Sequence, residues 1–218
     1  MTSRFASRGI AVGLASVVLS AFGAAGFACV GDGPVLPPAE DGGANGDAAP
    51  ADLCDKYCTT VTKNCEGTNR QYRDVADCMR LCALLPQGNA GDRTLDTVAC
   101  RLANAEVATD RAACAKAGPW GGDACGKRCE SFCGVISRSC AKLASPPYVD
   151  NEDCLRSACA FTFDPTAGDG PDQDFDGDDT LNCRAFHLML AIDDALQGHC
   201  PHTKRVSDTC MARDAGAD

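Results

Sequence analysis

Three histidines and a run of aspartates are the residues of this 218-residue chain best suited to holding a metal ion. His187 stands one helical turn after Cys183, and His199 and His202 flank Cys200 in His199-Cys200-Pro201-His202. Imidazole is the commonest side-chain ligand for transition metals near neutral pH. A Cys183–Cys200 bridge would gather all three rings around one such ion. The competing reading is that the rings serve helix packing and loop hydrogen bonds, or are simply exposed. An earlier stretch of similar sequence carries Asn104, Ala113 and Lys116 at the matching positions, so a histidine site would belong to one half of the chain.

The aspartates form Asp172-Gln173-Asp174-Phe175-Asp176-Gly177-Asp178-Asp179. Alternate carboxylates at Asp172, Asp174, Asp176 and Asp178 converge when the chain turns, and Gly177 permits the turn. With Asn182-Cys183 the run resembles a type 3 thrombospondin calcium repeat over about a dozen residues. Calcium is the one cofactor this implies; the alternative is a solvated acidic loop. An EF-hand is excluded, because its twelfth position holds Cys183 instead of Glu. Disulfide-laced helices, a calcium loop and a helical histidine also resemble secreted phospholipases A2. That likeness stops at Cys183-x3-His187, since Leu188 stands where an Asp is usual. No HExxH, GxSxG, P-loop or dinucleotide fingerprint occurs, and the sequence offers no catalytic residues. The expectation is a protein that is not an enzyme.

The elements that must position these groups are written in cysteine. Sixteen of the seventeen cysteines fall into two sets of eight with nearly the same spacing: Cys54, Cys58, Cys65, Cys78, Cys82, Cys100, Cys114 and Cys125, then Cys129, Cys133, Cys140, Cys154, Cys159, Cys183, Cys200 and Cys210. Residues between them also correspond. Tyr72-x-Asp74-x-x-Asp77-Cys78 recurs as Tyr148-x-Asp150-x-x-Asp153-Cys154, and Asp96-Thr97-Val98-x-Cys100-Arg101 as Asp179-Thr180-Leu181-x-Cys183-Arg184. This is an internal duplication. Cys54, Cys58, Val61 and Cys65 share one helix face, as do Cys129, Cys133, Ile136 and Cys140. Asp74 and Asp150 suit the N-cap of a second helix, and Asp96 and Asp179 that of a third. The fold expected is all-α and disulfide-rich: two tandem copies of a small helical hairpin plus a third helix.

Antiparallel helices carrying Cys-x3-Cys pair their outer and inner cysteines, giving Cys54–Cys82, Cys58–Cys78, Cys129–Cys159 and Cys133–Cys154. The other four pairs are set down as Cys65–Cys100, Cys114–Cys125, Cys140–Cys183 and Cys200–Cys210. Eight cysteines permit 105 connectivities, so spacing alone does not select among them. Metal clusters are disfavoured, because no Cys-x2-Cys occurs. Trp120, the only tryptophan, sits in a turn-rich loop either as an exposed contact or as a cover for the adjacent bridge.

Arg4 and Arg8 precede an apolar run ending in small residues, which makes residues 1–28 a secretory signal. Cys29 resembles the lipid-bearing cysteine of bacterial lipoproteins, with Gly26 where Leu or Val is usual; an ordinary signal peptidase would also accept this junction. Residues 29–51 then form a tether of Gly, Pro, Ala and Asp with a reach of about 25 Å. Repeats follow at 52–127 and 128–212, and a tail at 213–218. A net charge of −10 argues against nucleic acid or anionic lipid as partner.

The phrase from Asp179 to His187, with His199 to His202, is similar to cysteine-rich predicted lipoproteins and surface proteins of myxobacteria. The resemblance implies an exported, outer-membrane lipoprotein, with a soluble periplasmic or secreted form as the alternative. The expected function is non-enzymatic: a membrane-anchored display of two disulfide-locked domains that bind a protein or envelope polymer, or serve structure. The alternative is a metal-binding envelope protein serving metal handling or redox chemistry. A disulfide closing a loop of this size contributes roughly 3–4 kcal/mol. Cys58→Ser should therefore lower the melting temperature by many degrees, and a value within about a degree of wild type would refute the hairpin.

Overall fold

In the computed structural model the described residues are 50–211, apart from 167, 169, 172–174, 176, 194 and 195. The signal, Cys29, the tether up to residue 49, the tail, and Asp172, Asp174 and Asp176 lie outside them.

The described chain is all-helical. In the first half α1 spans Pro50–Asn64, α2 Val75–Cys82, α3 Val98–Ala105 and α4 Arg111–Ala117. In the second α5 spans Arg128–Arg138, α6 Asn151–Ala158, α7 Leu181–Asp193 and α8 Leu196–His199, followed by a 3-10 turn at Cys200–Thr203. The only extended pairing among the described residues is an isolated bridge between Thr162 and Thr180. Helix α1 begins at Pro50, inside the expected tether, because proline suits the first helical position. Helix α5 stops at Arg138, so Cys140 sits in a separate 3-10 turn and not on the α5 face.

Each half has a fourth helical element where three were expected. Helix α4, Arg-Ala-Ala-Cys-Ala-Lys-Ala, is short and lacks an apolar stripe. What starts it is Asp110, whose carboxylate accepts from Ala113 N at 2.8 Å. That helix changes the bridges. The hairpins carry Cys54–Cys82 with Cys58–Cys78, and Cys129–Cys159 with Cys133–Cys154. The remaining four expected pairs are corrected to Cys65–Cys114, Cys100–Cys125, Cys140–Cys200 and Cys183–Cys210. The end of α1 packs beside α4, which hands Cys65 to Cys114 and leaves Cys100 for the loop cysteine. Numbered within its own set, each half joins first to fifth, second to fourth, third to seventh and sixth to eighth.

The N-caps divide. Asp74 and Asp150 accept from Asp77 N and Asp153 N at 2.9 and 2.8 Å, as a cap should. For the third helix the cap is the neighbouring threonine: Thr97 and Thr180 Oγ1 accept from Cys100 N and Cys183 N, each at 3.2 Å. Asp96 and Asp179 are released for another task. Their carboxylates pair with Arg101 and Arg184 at 2.6 and 2.7 Å, and both guanidiniums are wholly buried. Arg101 also donates to the carbonyls of Thr97, Gly118 and Pro119. Arg184 donates to those of Thr180, Lys204, Arg205 and Cys210 and lies 3.6 Å above the Phe161 ring. Each arginine thereby clamps the loop that leads to the last cysteine of its half. Removing either buried guanidinium would orphan several carbonyls, each at a cost of about 1–3 kcal/mol.

The halves share one apolar core, in which Tyr57, Val61, Leu81 and Val98 meet Phe132, Ile136 and Leu188. Trp120 is buried at 2 % exposure and packs on Phe132, with centroids 6.2 Å apart; it is not an exposed contact. Polar ties span the halves as well. Ser131 donates to Asp96 at 2.7 Å, and Arg73 and Arg80 both hold Asp193 at the end of α7.

The same post stands in each half with different chemistry. Tyr57 donates to Ala117 O at 2.6 Å and meets the Tyr72 hydroxyl at 2.7 Å. Phe132 replaces Tyr57 in the second half, and there Tyr148 donates directly to Thr203 O at 2.6 Å. Burial pushes the Tyr57 phenol up to about 12 and raises those of Tyr72 and Tyr148.

Two predictions follow from burial. All three tyrosines of the chain resist ionisation in the fold, whereas unfolded ones ionise near pH 10. Their contribution is complete below about pH 10 and is lost as pH rises toward 12. Near-ultraviolet phenolate absorbance should stay low at about pH 10.5 and then rise together with loss of helical circular dichroism. Gradual ionisation at about pH 10 without unfolding would contradict the buried posts. Cys159 is exposed while the other fifteen bridge cysteines are buried. Under mild reductant and trapping, Cys129 and Cys159 should be alkylated first, as peptide mapping would read.

Candidate functional site

Two places bring chemistry-bearing side chains together. The larger is a cleft of about 830 Å³, within the size range of ligand sites. Its floor comes from the segment after α1, with Arg70 and Gln71, and from α4, with Arg111 and Lys116. The start of α5 adds Arg128, and the α6–α7 loop adds Phe163. On a chain of net charge −10, the described lining carries four basic side chains and no carboxylate.

Local backbone explains how the cleft is held open. Gly121, Gly122 and Asp123 are all left-handed, with φ of 69, 53 and 60°. A Cβ on Gly122 would lie 2.7 Å from the Ala115 carbonyl, so only glycine lets this turn press against α4. The turn presents Asp123 to Arg128, which pairs with it and stacks 4.1 Å above the Phe163 ring. Loop packing supplies the opposite wall, where Arg111 lies against Gly168. Gln71 is 4 % exposed; its amide donates to Asn69 O at 2.9 Å, while its Oε1 has no hydrogen-bond partner among the described residues.

The smaller place is the histidine cluster. His187 on α7 is buried, and His199 at the end of α8 and His202 in the following turn are half-buried. Nδ1 of His187 and Nδ1 of His199 are 3.3 Å apart, with the rings nearly parallel at 22°. The His202 ring lies 4.9 Å from His187 and 6.0 Å from His199, centroid to centroid. Thr209 Oγ1 is 2.8 Å from His202 Nδ1. The three rings do come together, but through Cys183–Cys210 and Cys140–Cys200 and not through a Cys183–Cys200 bridge. Cys183 and Cys210 lie with His187 in one group of potential ligand atoms within 4.8 Å. Bonded to each other, those sulfurs are not thiolates.

Of the aspartate run, Asp178 is described and exposed, and Asp172, Asp174 and Asp176 lie outside the described residues. Its flanks are anchored: Phe175 packs on Phe186 at 5.9 Å, and Gly177 N donates to Thr209 O at 2.8 Å. The basic cleft escapes sequence reasoning altogether, because its cations are contributed by three separated segments that no spacing links. The buried arginines did leave a signal, the repeated Cys100-Arg101 and Cys183-Arg184.

Residues 41–128 match the BfoA family C-terminal domain. The matched span contains α1 to α4 and ends one residue before Cys129. No curated protein and no solved structure matches the chain.

Proposed function

We propose that the chain is an exported, non-enzymatic protein of the cell envelope that binds an anionic envelope component in the cleft between α4 and the α6–α7 loop. Lipid on Cys29 and the tether between it and Pro50 hold it at the outer membrane. The observation that carries this reading is that Arg70, Arg111 and Lys116, with Arg128 in its Asp123 pair beside them, line one cavity of a chain of net charge −10. Guanidinium groups match carboxylate, phosphate and sulfate oxygens in paired hydrogen bonds. Eight disulfides support an oxidising, exported setting. Cys65–Cys114 also fixes the α4 wall of the cleft to the end of α1, which lowers the cost of ordering that wall on binding.

The test titrates the mature chain with a defined acidic oligosaccharide, a heparin hexasaccharide, at low and high salt. Binding should be present at low salt and weakened at high salt. Lys116→Glu and Arg111→Glu should each weaken it by about tenfold or more, with the melting temperature unchanged for Lys116→Glu. Equal affinity for the charge-reversed variants would overturn the assignment of the cleft. A mass spectrum of protein taken from its own envelope tests the anchor, since a lipid adds mass to Cys29 and ordinary cleavage does not.

A further inference from the structure

Apart from the cleft, we propose that His187, His199 and His202 form a binding site for one divalent transition-metal ion of the zinc, cobalt and copper class. Two nitrogens about 2.0–2.1 Å from a zinc ion, at a tetrahedral angle, lie roughly 3.3–3.4 Å apart. The 3.3 Å between the Nδ1 atoms of His187 and His199 is that spacing. Two imidazole nitrogens this close cannot both carry protons, so the pair favours either one shared proton or one shared cation.

His202 completes the set. Thr209 Oγ1 meets its Nδ1 at 2.8 Å, and with Nδ1–H donating to that hydroxyl the lone pair that could ligate sits on Nε2. The His202 nitrogen is not yet within 4.8 Å of both others, so closing the site turns this half-buried ring toward the pair. That rotation shifts or exchanges the Thr209 hydrogen bond, while the backbone carrying the three rings is already ordered. Cys183–Cys210 ties α7 to the loop bearing Thr209, and Cys140–Cys200 ties down the turn bearing His199 and His202. Three imidazoles without thiolate suit a borderline cation and leave a fourth position to solvent. They do not suit calcium, which takes oxygen ligands.

The first half shows what the same place looks like without this function. Asn104 stands for His187 and donates to Cys100 O at 3.0 Å and to Cys125 Sγ at 3.2 Å, bracing its bridge. Ala113 and Lys116 stand for His199 and His202. The second half has placed all three of the chain's histidines where the first has none.

Untagged mature chain, stripped by chelator without reductant and dialysed, is titrated with Co²⁺ and then Zn²⁺. Visible ligand-field bands of a low-coordinate Co²⁺ site should appear at one equivalent and bleach with Zn²⁺. Zn²⁺ should raise the melting temperature. His199→Ala and His202→Ala, both at half-buried positions, should each cut affinity by more than about tenfold. Their metal-free melting temperatures should stay near wild type, which separates loss of a ligand from loss of fold. No bands and no Zn²⁺ effect on melting would overturn the site. Binding retained in His199→Ala but lost in Asp172→Asn would also overturn it, by placing the ion at the aspartate run.

Discussion

Loop closure by sulfur is the constraint on which this body rests. The helices are short, several of eight residues or fewer, and isolated helices of that length do not hold in water. Their apolar faces are narrow, and much of the core is cystine itself. Each bridge removes unfolded-chain entropy worth roughly 3–4 kcal/mol for these loop lengths, although nested bridges do not add in full. Cross-linking the chain before packing is counted lets a thin core suffice. It also licenses the irregular turns that line the cleft, which a smaller stabilising term would not hold.

Within that frame, the buried arginines solve a second problem. The loops ending in Cys125 and Cys210 hold at most a single 3-10 turn, so several of their carbonyls need partners from elsewhere when buried. One guanidinium in each half reaches them, with Asp96 or Asp179 neutralising its charge. The two clamps differ in what closes them. Arg101 uses Ser131 from the other half, whereas Arg184 uses the Phe161 ring and the Cys210 carbonyl. The first clamp is therefore also a joint between halves, and the second is self-contained.

How far the sequence revealed this depends on range. The hairpin bridges were legible because Cys54 and Cys58 lie one helical turn apart and an antiparallel partner leaves one sensible pairing. The other four were not, since they turn on α4, whose alanines carry no pattern, and in the second half on the short α8 and the turn after it. Asp96 looked like a cap because aspartate and threonine cap equally well; only the burial of Arg101, a tertiary fact, decided that Thr97 caps and Asp96 pairs. The histidines were legible as a suspicious composition, but their mutual contact comes from bridges that spacing did not predict. The basic cleft had no local signature.

None of the eight bridges crosses from one half to the other. What joins the halves is the connecting peptide near Gly126 and Lys127, the shared core, and the ties from Ser131 to Asp96 and from Arg73 and Arg80 to Asp193. A protease that nicked that peptide would leave two fragments, each knotted by four cystines and each lacking a complete surface. They would stay together as a noncovalent heterodimer and part only in denaturant. The molecule is thus, in covalent terms, two proteins that have not yet been separated.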